Sequence, residues 1–314
     1  MHSFAKIAVT GGAGFIGSHL VPRLLADGYE VLVVDNLYSG RREHVPAQAD
    51  FVELDLARAD ESTVFEVFRD YCPDAVIHLA AIHYIPHCVA HPAETFLANV
   101  RSTDVIARAL RSIPTRKLIA ASTADIYPLA DRAHVERETP APSNPYGLSK
   151  FLLEEIVAGA ARSNANLSCV ALRLFNVYGP NDTNPHVIPR IVERLCSPAP
   201  EILIGATDTT RDFVHVADVV QAICTALVHD SGKYDVFNVG TGRATSIRQV
   251  LQILLRAAGD SRCVVQATDL LRSYDRPSLT SDITKIGRVL KWRPTIAIEQ
   301  GLTQLARQAV LASP

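Results

Sequence analysis

The sequence predicts an α/β protein in which a doubly wound parallel sheet is followed by a smaller C-terminal lobe. Short apolar runs of strand length, the first at residues 6–10 and 31–35, alternate with segments in which apolar residues recur at helical period, such as 15–26. This alternation is typical of parallel strands covered by helices on both faces. A chain of 314 residues is long enough to bury a large core of this kind.

The other elements follow in the same order. Further strands are expected at 75–80, 117–123 and 169–174, and further helices at 94–110 and 146–161. After about residue 175 the alternation loosens into short strands, two helices and proline-rich turns, with the strands at 202–205, 213–216 and 236–239 and the helices at 217–228 and 247–258. We therefore predict one unit at residues 1–174, to which segments near 211–240 return, and a smaller one at 175–314.

The composition excludes several classes of partner. The formal net charge is −2 and 20% of the residues are charged, which argues against a general affinity for nucleic acid or for an anionic membrane. The six cysteines are scattered without CxxC or CxxH spacing, so we expect reduced thiols and no bound metal.

"MHSFAKIAVTGG" lacks a signal-peptide pattern, and no apolar run reaches the roughly 18 residues that span a bilayer. A soluble, cytoplasmic protein is the expectation.

Glycines mark the first turn from strand to helix. In "KIAVTGGAGFIGSHL", Gly11, Gly14 and Gly17 lie between a predicted strand and a predicted helix. Such a cluster lets the backbone approach a pyrophosphate, which binds the amide donors and the positive end of the helix. The second strand ends at Asp35, an acid that can accept hydrogen bonds from both ribose hydroxyls and repel a 2′-phosphate. These residues predict a Rossmann-type site that prefers NAD, although the arginines at 41–42 soften the preference over NADP.

Two later strand ends extend the predicted cofactor site. Asp55 follows the "FVELDL" strand, where its carboxylate is suited to accept a hydrogen bond from an adenine amino group. The "HLAA" segment at 78–81 ends the next strand with small residues, as a backbone that faces a cofactor requires. Both positions lie at the same predicted edge of the sheet as the glycine turn.

A tyrosine and a lysine share one face of a predicted helix. In "NPYGLSK", Tyr146 and Lys150 are four residues apart. A free phenol has a pKa of about 10, so a base near neutrality needs a shift of about three units, or about 4 kcal/mol in favour of the phenolate. A fixed lysine charge and a positive nicotinamide ring could provide it. With Thr123 at the end of the preceding strand, this pattern predicts an active site.

The motifs together resemble the extended short-chain dehydrogenase/reductase family, specifically its NAD-dependent nucleotide-sugar epimerases and dehydratases. The resemblance covers essentially the whole chain. It rests on motifs that stand in family order and at family spacing: "TGGAGFIGSHL", "VVDNLYSGRREHV", "HLAA", "ASTADIY", "YGLSK", "LRLFNVYGP", "RDFVHVADVV" and "NVGTG". It implies that Tyr146 is the catalytic base, that Thr123 hydrogen-bonds the sugar hydroxyl that is oxidised, and that Lys150 anchors the nicotinamide ribose and lowers the tyrosine pKa.

The resemblance also implies the binding residues. The cofactor set comprises the residues at the strand ends and in the catalytic helix, namely Gly11, Gly14, Phe15, Ile16, Gly17, Asp35, Asn36, Asp55, Leu56, Leu79, Ala80, Ala81, Asn99, Tyr146 and Lys150. The substrate set comprises His83, Thr123, Asn176, His186, Val187, Arg211, Arg272 and Asp275. Within it, Asn176 and Arg211 would contact the diphosphate, and Arg272 and Asp275 the phosphate and the nucleoside ribose, with Arg276 competing for that alignment.

The reaction type depends on Asp125. Dehydratases of the family place an acidic pair after the threonine, but here the two positions hold Ala124 and Asp125. A 4-epimerase acting on a UDP-sugar through a transient 4-keto intermediate is the leading expectation. The alternative is a 4,6-dehydratase, decarboxylase or 3,5-epimerase that uses Asp125, and with it His186, as a further acid or base. The pattern also leaves open an NAD-binding regulatory module and a simple ketoreductase.

The family resemblance also implies an oligomeric state. Its members typically pair through two helices, which correspond here to residues 94–110 and 147–161. A homodimer that binds a nucleotide sugar, and neither nucleic acid nor a membrane, is therefore expected.

Overall fold

The computed structural model of the chain describes residues 4–199, 201–230, 232–267 and 276–312. Its strands are β1 Lys6–Thr10, β2 Glu30–Asp35, β3 Asp50–Glu53, β4 Ala75–His78, β5 Lys117–Thr123, β6 Ala133–His134, β7 Ser168–Leu174, β8 Asn176–Tyr178, β9 Glu201–Ile204, β10 Thr210–Arg211, β11 Phe213–His215, β12 Tyr234–Val239, β13 Thr245–Ser246, β14 Cys263–Gln266 and β15 Ser278–Ser281. Its helices are α1 Gly17–Ala26, α2 Glu61–Tyr71, α3 Ile85–Ala90, α4 Pro92–Phe96, α5 Ser102–Ala109, α6 Pro145–Ser163, α7 Val187–Cys196, α8 Val216–Val228, α9 Ile247–Ala258, α10 Thr284–Val289 and α11 Ile298–Ala312.

The largest sheet has seven parallel strands in the order β12-β7-β5-β4-β1-β2-β3. The strand order reverses between β1 and β4, where Thr10 pairs with Val34 on one side and with His78 on the other. In sheets of this type, ligands bind outside the carboxyl ends of the strands at such a reversal. The predicted doubly wound sheet is thus confirmed, and it places the expected site at the ends of β1, β2, β4 and β5.

Each face of this sheet is covered by helices. On one face, α1 and α8 contribute Leu20, Leu24 and Ile223 to an apolar cluster. On the other face, α2, α5 and α6 bury Phe68 and Val157, together with further apolar side chains of the strands. Burial of each such side chain stabilises the fold by about 1.5–3 kcal/mol relative to exposure.

The later part of the chain forms smaller sheets. A four-stranded sheet has the order β13-β10-β15-β6, and two strand pairs are formed by β11 with β8 and by β14 with β9. A third apolar cluster lies between α7, α9 and α11 and includes Ile191, Leu254 and Leu302. β12, from the later part of the chain, pairs with β7 at the edge of the large sheet. Conversely, β6, from the earlier part, pairs with β15 of the four-stranded sheet. The division at residues 174 and 175 stays a prediction.

Two elements differ from the sequence expectation. The helix predicted at 94–110 is interrupted by a π-helical turn at Leu97–Arg101 that separates α4 from α5, a geometry often found near functional sites. The strand predicted at 75–80 ends at His78, because the next residues leave the sheet and line a cavity. Within the described ranges, no helix has the length and apolar character needed to cross a membrane.

Candidate active site

One cavity of about 1320 Å³ lies at the carboxyl ends of the parallel strands and continues to α7 and β9. Pockets for a single drug-sized ligand typically measure about 300–1,000 Å³, so this cavity has room for more than one such ligand. Its wall includes most of the predicted site residues, namely Gly11, Gly14, Phe15, Ile16, Gly17, Asp35, Asn36, Asp55, Leu56, Leu79, Ala80, Ala81, His83, Thr123, Asp125, Tyr146, Lys150, Asn176, His186, Val187 and Arg211.

The glycine turn brings three backbone segments into close contact. Gly11 has φ of +71°, and a Cβ built on it would lie 2.6 Å from the backbone N of Ala80. A Cβ on Gly17 would lie 2.4 Å from the carbonyl oxygen of Gly12. Larger residues at either position would push the turn away from the strand ends. Gly14, Phe15, Ile16 and Gly17 line the cavity, so the start of α1 faces it, as a pyrophosphate requires.

Asp35 is held rigidly at the end of β2. Its side chain is buried, Oδ2 accepts a 3.0 Å hydrogen bond from the backbone N of Ala13, and Oδ1 accepts a 2.8 Å bond from that of Leu37. Burial raises the pKa of Asp35, and these backbone donors oppose the rise. A carboxylate oxygen has a second lone pair, so both oxygens can still accept from ribose hydroxyls. Asp55 is fixed similarly, by a 2.9 Å bond from the backbone N of Ala57.

Asn99 does not reach the cavity wall, contrary to its predicted place in the cofactor set. It is fully buried, its Oδ1 accepts from the backbone N of Ile82 at 2.8 Å, and its Nδ2 donates to the Ile82 carbonyl oxygen at 2.9 Å. Nδ2 also donates to Ser149 Oγ at 2.9 Å. Asn99 therefore fastens the loop after β4 to α6, because both backbone polar groups of Ile82 would otherwise need other partners.

The predicted catalytic residues Thr123 and Tyr146 lie where β5 approaches α6. Thr123 ends β5, and its Oγ1 accepts a 3.2 Å hydrogen bond from the backbone N of Asp125. Tyr146 lies in the first turn of α6, which Asn144 caps by accepting a 2.9 Å bond from the backbone N of Gly147. Thr123 and Tyr146 both line the cavity wall. The cap and the strand end thus set the position of the phenol.

Burial dominates the electrostatics of Tyr146 and Lys150. It raises the pKa of Tyr146, and the neighbouring Thr123 opposes the rise. Lys150 is buried and its Nζ donates to the Ala121 carbonyl oxygen at 2.8 Å. Burial lowers the pKa of Lys150 to about 8, while Cys88 and Glu154 oppose that change. The depression of the tyrosine pKa by Lys150 and the nicotinamide ring stays a prediction.

Asp125 has a partner that the sequence did not reveal. Its Oδ1 lies 3.7 Å from Nε of Arg276, and the two side chains are 17% and 5% exposed. Arg276 also donates through Nη2 to the carbonyl oxygen of Tyr127. The predicted substrate residues Arg272 and Asp275 fall outside the described part of the chain.

The opposite side of the cavity is polar and basic. Asn176 has a buried Oδ1 with no hydrogen-bond partner among the described residues. Arg211 donates through Nη1 to the carbonyl oxygens of Thr210 and Arg276, at 2.8 and 2.7 Å. Two arginines of α7 that the sequence analysis missed, Arg190 and Arg194, also line this side. Their four-residue spacing after His186 in a helical segment is the signal that could have identified them.

His186 and His83 meet across the cavity. Their ring centroids are 5.3 Å apart, and Nδ1 of His186 is 3.0 Å from Oδ2 of Asp182. Burial lowers the pKa of His83, and the neighbouring His186 lowers it further. The pair thus joins the loop after β4 to the start of α7.

A glycine turn at the sheet reversal, a fixed acid at the end of β2 and a Thr-Tyr-Lys set beside them define a dinucleotide-binding α/β enzyme. The profile of the NAD dependent epimerase/dehydratase family matches residues 7–240. The chain belongs to this family, as the sequence resemblance indicated, and NAD is its cofactor.

Similar proteins cover nearly the whole chain. UDP-glucose 4-epimerase of Lactobacillus helveticus is 33% identical over 308 residues, which are 92% of each protein. A crystal structure of UDP-glucose 4-epimerase from Thermotoga maritima with UDP-glucose is 34% identical with a TM-score of 0.90, and the match covers 96% of this chain and 97% of that one. The Thermus thermophilus enzyme in complex with NAD is 34% identical with a TM-score of 0.89, and the match covers 98% and 99%.

Proposed function

We propose that the protein is an NAD-dependent 4-epimerase of UDP-sugars. The observation that carries the proposal is the single cavity that contains the glycine turn, the Thr123-Tyr146-Lys150 set and the polar side around Asn176 and Arg211. A dinucleotide and a nucleotide sugar can therefore meet at the same catalytic groups. Related chains of this family are UDP-glucose 4-epimerases.

The cofactor half of the cavity fits NAD. The turn at Gly11 and Gly17 leaves no room for a Cβ, and the start of α1 in the cavity wall would receive a pyrophosphate. Asp35 would accept hydrogen bonds from the adenosine ribose hydroxyls, and Asp55, which lines the same cavity, would accept one from the adenine amino group. When bound, NAD supplies the acceptor and later donor of a hydride at the reacting sugar carbon. Lys150 would bind the nicotinamide ribose.

Tyr146 performs the proton transfer. Its phenol takes the proton of the sugar O4 hydroxyl as C4 is oxidised and returns a proton to O4 when C4 is reduced on the other face. Thr123 hydrogen-bonds the same sugar oxygen and orients it toward the phenol. Because burial lowers the pKa of Lys150 only to about 8, the ammonium group is still mostly charged near neutrality. Its charge is available to stabilise the phenolate.

The polar half of the cavity would hold the sugar nucleotide. Asn176 and Arg211 are suited to the diphosphate, since the amide and the guanidinium both offer donors to phosphate oxygens. The buried Oδ1 of Asn176, which has no partner among the described residues, is an acceptor. It would take a hydrogen bond from a hydroxyl group of the ligand, while Nδ2 would donate to the diphosphate. His83, His186 and Val187 would contact the sugar. Arg272 and Asp275 remain proposed contacts of the nucleoside and the phosphate.

The alternatives are less well supported. A dehydratase would need an acid at Ala124, and the named relatives are 4-epimerases. Thr123, Tyr146 and Lys150 line one cavity, whereas a regulatory module would not need them. A ketoreductase would consume its cofactor with each turnover, which an epimerase does not.

A homodimer and a cytoplasmic location are also proposed. Leu148 in α6 is apolar, is 40% exposed and does not line the cavity. An exposed apolar side chain at this position supports pairing through residues 94–110 and 147–161. Light scattering coupled to size exclusion should give the mass of two chains, and Leu148→Glu should give that of one. The cytoplasmic location rests on the sequence alone.

The activity test uses a panel of UDP-, GDP- and dTDP-sugars in deuterated water, followed by NMR. We expect inversion at C4 of a UDP-sugar with no solvent deuterium in the product and no net change in NAD. Deuterium at C3 or C5 in the product of the wild-type enzyme would contradict the proposal. Turnover of only GDP- or dTDP-sugars would refute the choice of nucleotide.

A further inference from the structure

Arg276 lies next to Asp125, whose carboxylate is close in the chain to Thr123. Asp125 lies in the cavity wall two residues after Thr123. The Nε of Arg276 faces its Oδ1 at 3.7 Å, is buried, and has no hydrogen-bond partner among the described residues. Since a buried guanidinium is costly without a counter-charge, the position of Arg276 depends on Asp125.

Arg276 is anchored by three further hydrogen bonds. It donates through Nη2 to the Tyr127 carbonyl oxygen and through Nη1 to that of Pro128, at 3.4 Å. Its own carbonyl oxygen accepts a 2.7 Å bond from Arg211. The guanidinium is therefore fixed to the segment that follows β5, and it cannot move away from Asp125 without breaking these bonds.

A carboxylate at this position has a chemical consequence in a 4-epimerase. Oxidation at C4 makes the hydrogen on C5 acidic, because the carbanion formed there is stabilised as an enolate of the 4-keto group. A nearby carboxylate can take that proton: the C5–H bond breaks, an O–H bond forms on the carboxyl group, and the enolate carries the charge. Return of a solvent-exchanged proton to C5 restores the ketone, with no change in oxidation state. A plain 4-epimerase must avoid this side reaction.

We propose that Arg276 is a specificity-determining residue, which pairs with Asp125 and keeps that carboxylate from removing the C5 proton of the 4-keto sugar. The inference rests on the proposed 4-epimerase function. The ion pair would restrict the reaction to C4. An acidic residue could then lie in the cavity wall without causing dehydratase-like activity.

The surrounding charges agree with this role. Burial raises the pKa of Asp125, which would make the carboxylate a stronger base, and the charges of Arg276 and Arg211 oppose the rise. Hydrogen bonds with Asn144 and Thr123 act in the same direction as the two arginines. Without the Arg276 charge, burial would raise the pKa of Asp125 further. The basicity of Asp125 would then increase.

The test measures deuterium at C5 per inversion at C4, with UDP-galactose in deuterated water and the NAD-loaded full-length enzyme. The wild type should invert C4 with no detectable label at C5. Arg276→Gln should raise the ratio of label to inversion about tenfold or more above the detection limit, since loss of one charge from a buried pair shifts the pKa of its partner by about a unit or more. The ratio is independent of how much enzyme is folded.

Three variants control the test. Arg276→Lys keeps the charge and should keep the wild-type ratio. The double variant Asp125→Asn with Arg276→Gln removes the base and should also show no label. If Arg276→Gln does not fold, Arg276→Met, which is neutral and close in volume, carries the same measurement.

The outcomes separate this inference from the proposed function. C4 inversion without C5 label in the neutral variants would overturn the role of Arg276 and leave the 4-epimerase intact. Label that persists in the double variant would show that Asp125 is not the base and would overturn it as well. Failure of the wild type to invert any UDP-sugar would refute the proposed function and, with it, the inference.

Discussion

Gly147 lies directly against the backbone carbonyl group of Asp125. A Cβ built on Gly147 would be 2.4 Å from that carbonyl oxygen and 3.0 Å from its carbon, which is closer than real contacts allow. The first turn of α6 therefore packs on the turn that follows β5. Since Tyr146 precedes Gly147 and Thr123 precedes the turn, this contact sets the distance between the two hydroxyl groups that we propose to be catalytic.

Gly147→Ala should reduce both turnover and stability. The added methyl group must displace backbone, so we expect a loss of about 1–3 kcal/mol in the free energy of unfolding and a fall in kcat of about tenfold or more, because small displacements of catalytic groups are costly. Binding of NAD should change little. Calorimetric titration with NAD and steady-state assays with a UDP-sugar would measure both.

Gly159 offers the matched control for that variant. It lies in the same helix, and a Cβ there would contact only Arg162 Nη2, at 3.9 Å. Gly159→Ala should leave kcat unchanged and stabilise the helix by about 0.5–1 kcal/mol. Equal losses of activity in the two alanine variants would contradict a special role for the contact at Gly147.

Tyr146→Phe should retain NAD binding and lose turnover by at least about a hundredfold, because proton transfer by a positioned side chain contributes about 10²–10⁴-fold. The ring keeps its packing, and only the proton donor and acceptor is removed. Tyr71→Phe removes another tyrosine hydroxyl, outside the cavity wall, and should leave turnover unchanged. Near-normal activity of Tyr146→Phe would refute the assigned base.

The Tyr-Lys spacing and the strand ends could be predicted because they depend on local geometry. Residues four apart share a helix face whatever the tertiary structure, and the carboxyl ends of parallel strands meet at one edge. The wall of the cavity therefore contains nearly all the residues named from the sequence.

The partner of Asp125 could not be predicted in the same way. Arg276 is distant in the chain and reaches Asp125 only because β15, which follows it, joins β10 and β6. The position of Asn99 depends likewise on its contact with the loop after β4. The effect of burial on the Tyr146 pKa could not be predicted either, since desolvation depends on how the whole cavity packs and not on sequence spacing.

Asp35→Asn should weaken binding of NAD and reduce the discrimination against NADP. A charged hydrogen-bond acceptor contributes about 1.5–3 kcal/mol, so the Kd for NAD should rise by about 10- to 150-fold, while that for NADP should rise less because the repulsion of its 2′-phosphate is lost. Calorimetric titration with each cofactor measures the two changes. Asp70→Asn is the control: it changes an exposed carboxylate that is paired with Arg69, and it should alter neither Kd. An equal rise in the Kd of NAD and NADP in Asp35→Asn would contradict the contact with the ribose.

Glu138 should make stability depend on pH in the acid range. Its burial would raise its pKa, but hydrogen bonds from Arg132 and His134 and from the backbone N of Val135 prevail and lower the pKa from 4.5 to about 2. A carboxyl group whose folded-state pKa lies below its unfolded-state value stabilises the fold above the unfolded value and loses that contribution as pH falls. The contribution of Glu138 is therefore complete above about pH 4.5 and disappears as pH falls toward about 2.

Glu138→Gln isolates this contribution, because the amide is similar in shape and does not titrate. Urea unfolding of both proteins between pH 6 and pH 3 should show the wild type more stable at pH 6, with the difference in the free energy of unfolding shrinking steadily below about pH 4.5. Because Arg132 is 58% exposed, solvent and salt screen its ion pair with Glu138. A stability difference that persists in 0.5 M salt would therefore come from the hydrogen bonds of His134 and the Val135 amide to Glu138. A difference that stays constant across this pH range would show that Glu138 titrates alike in the folded and unfolded states.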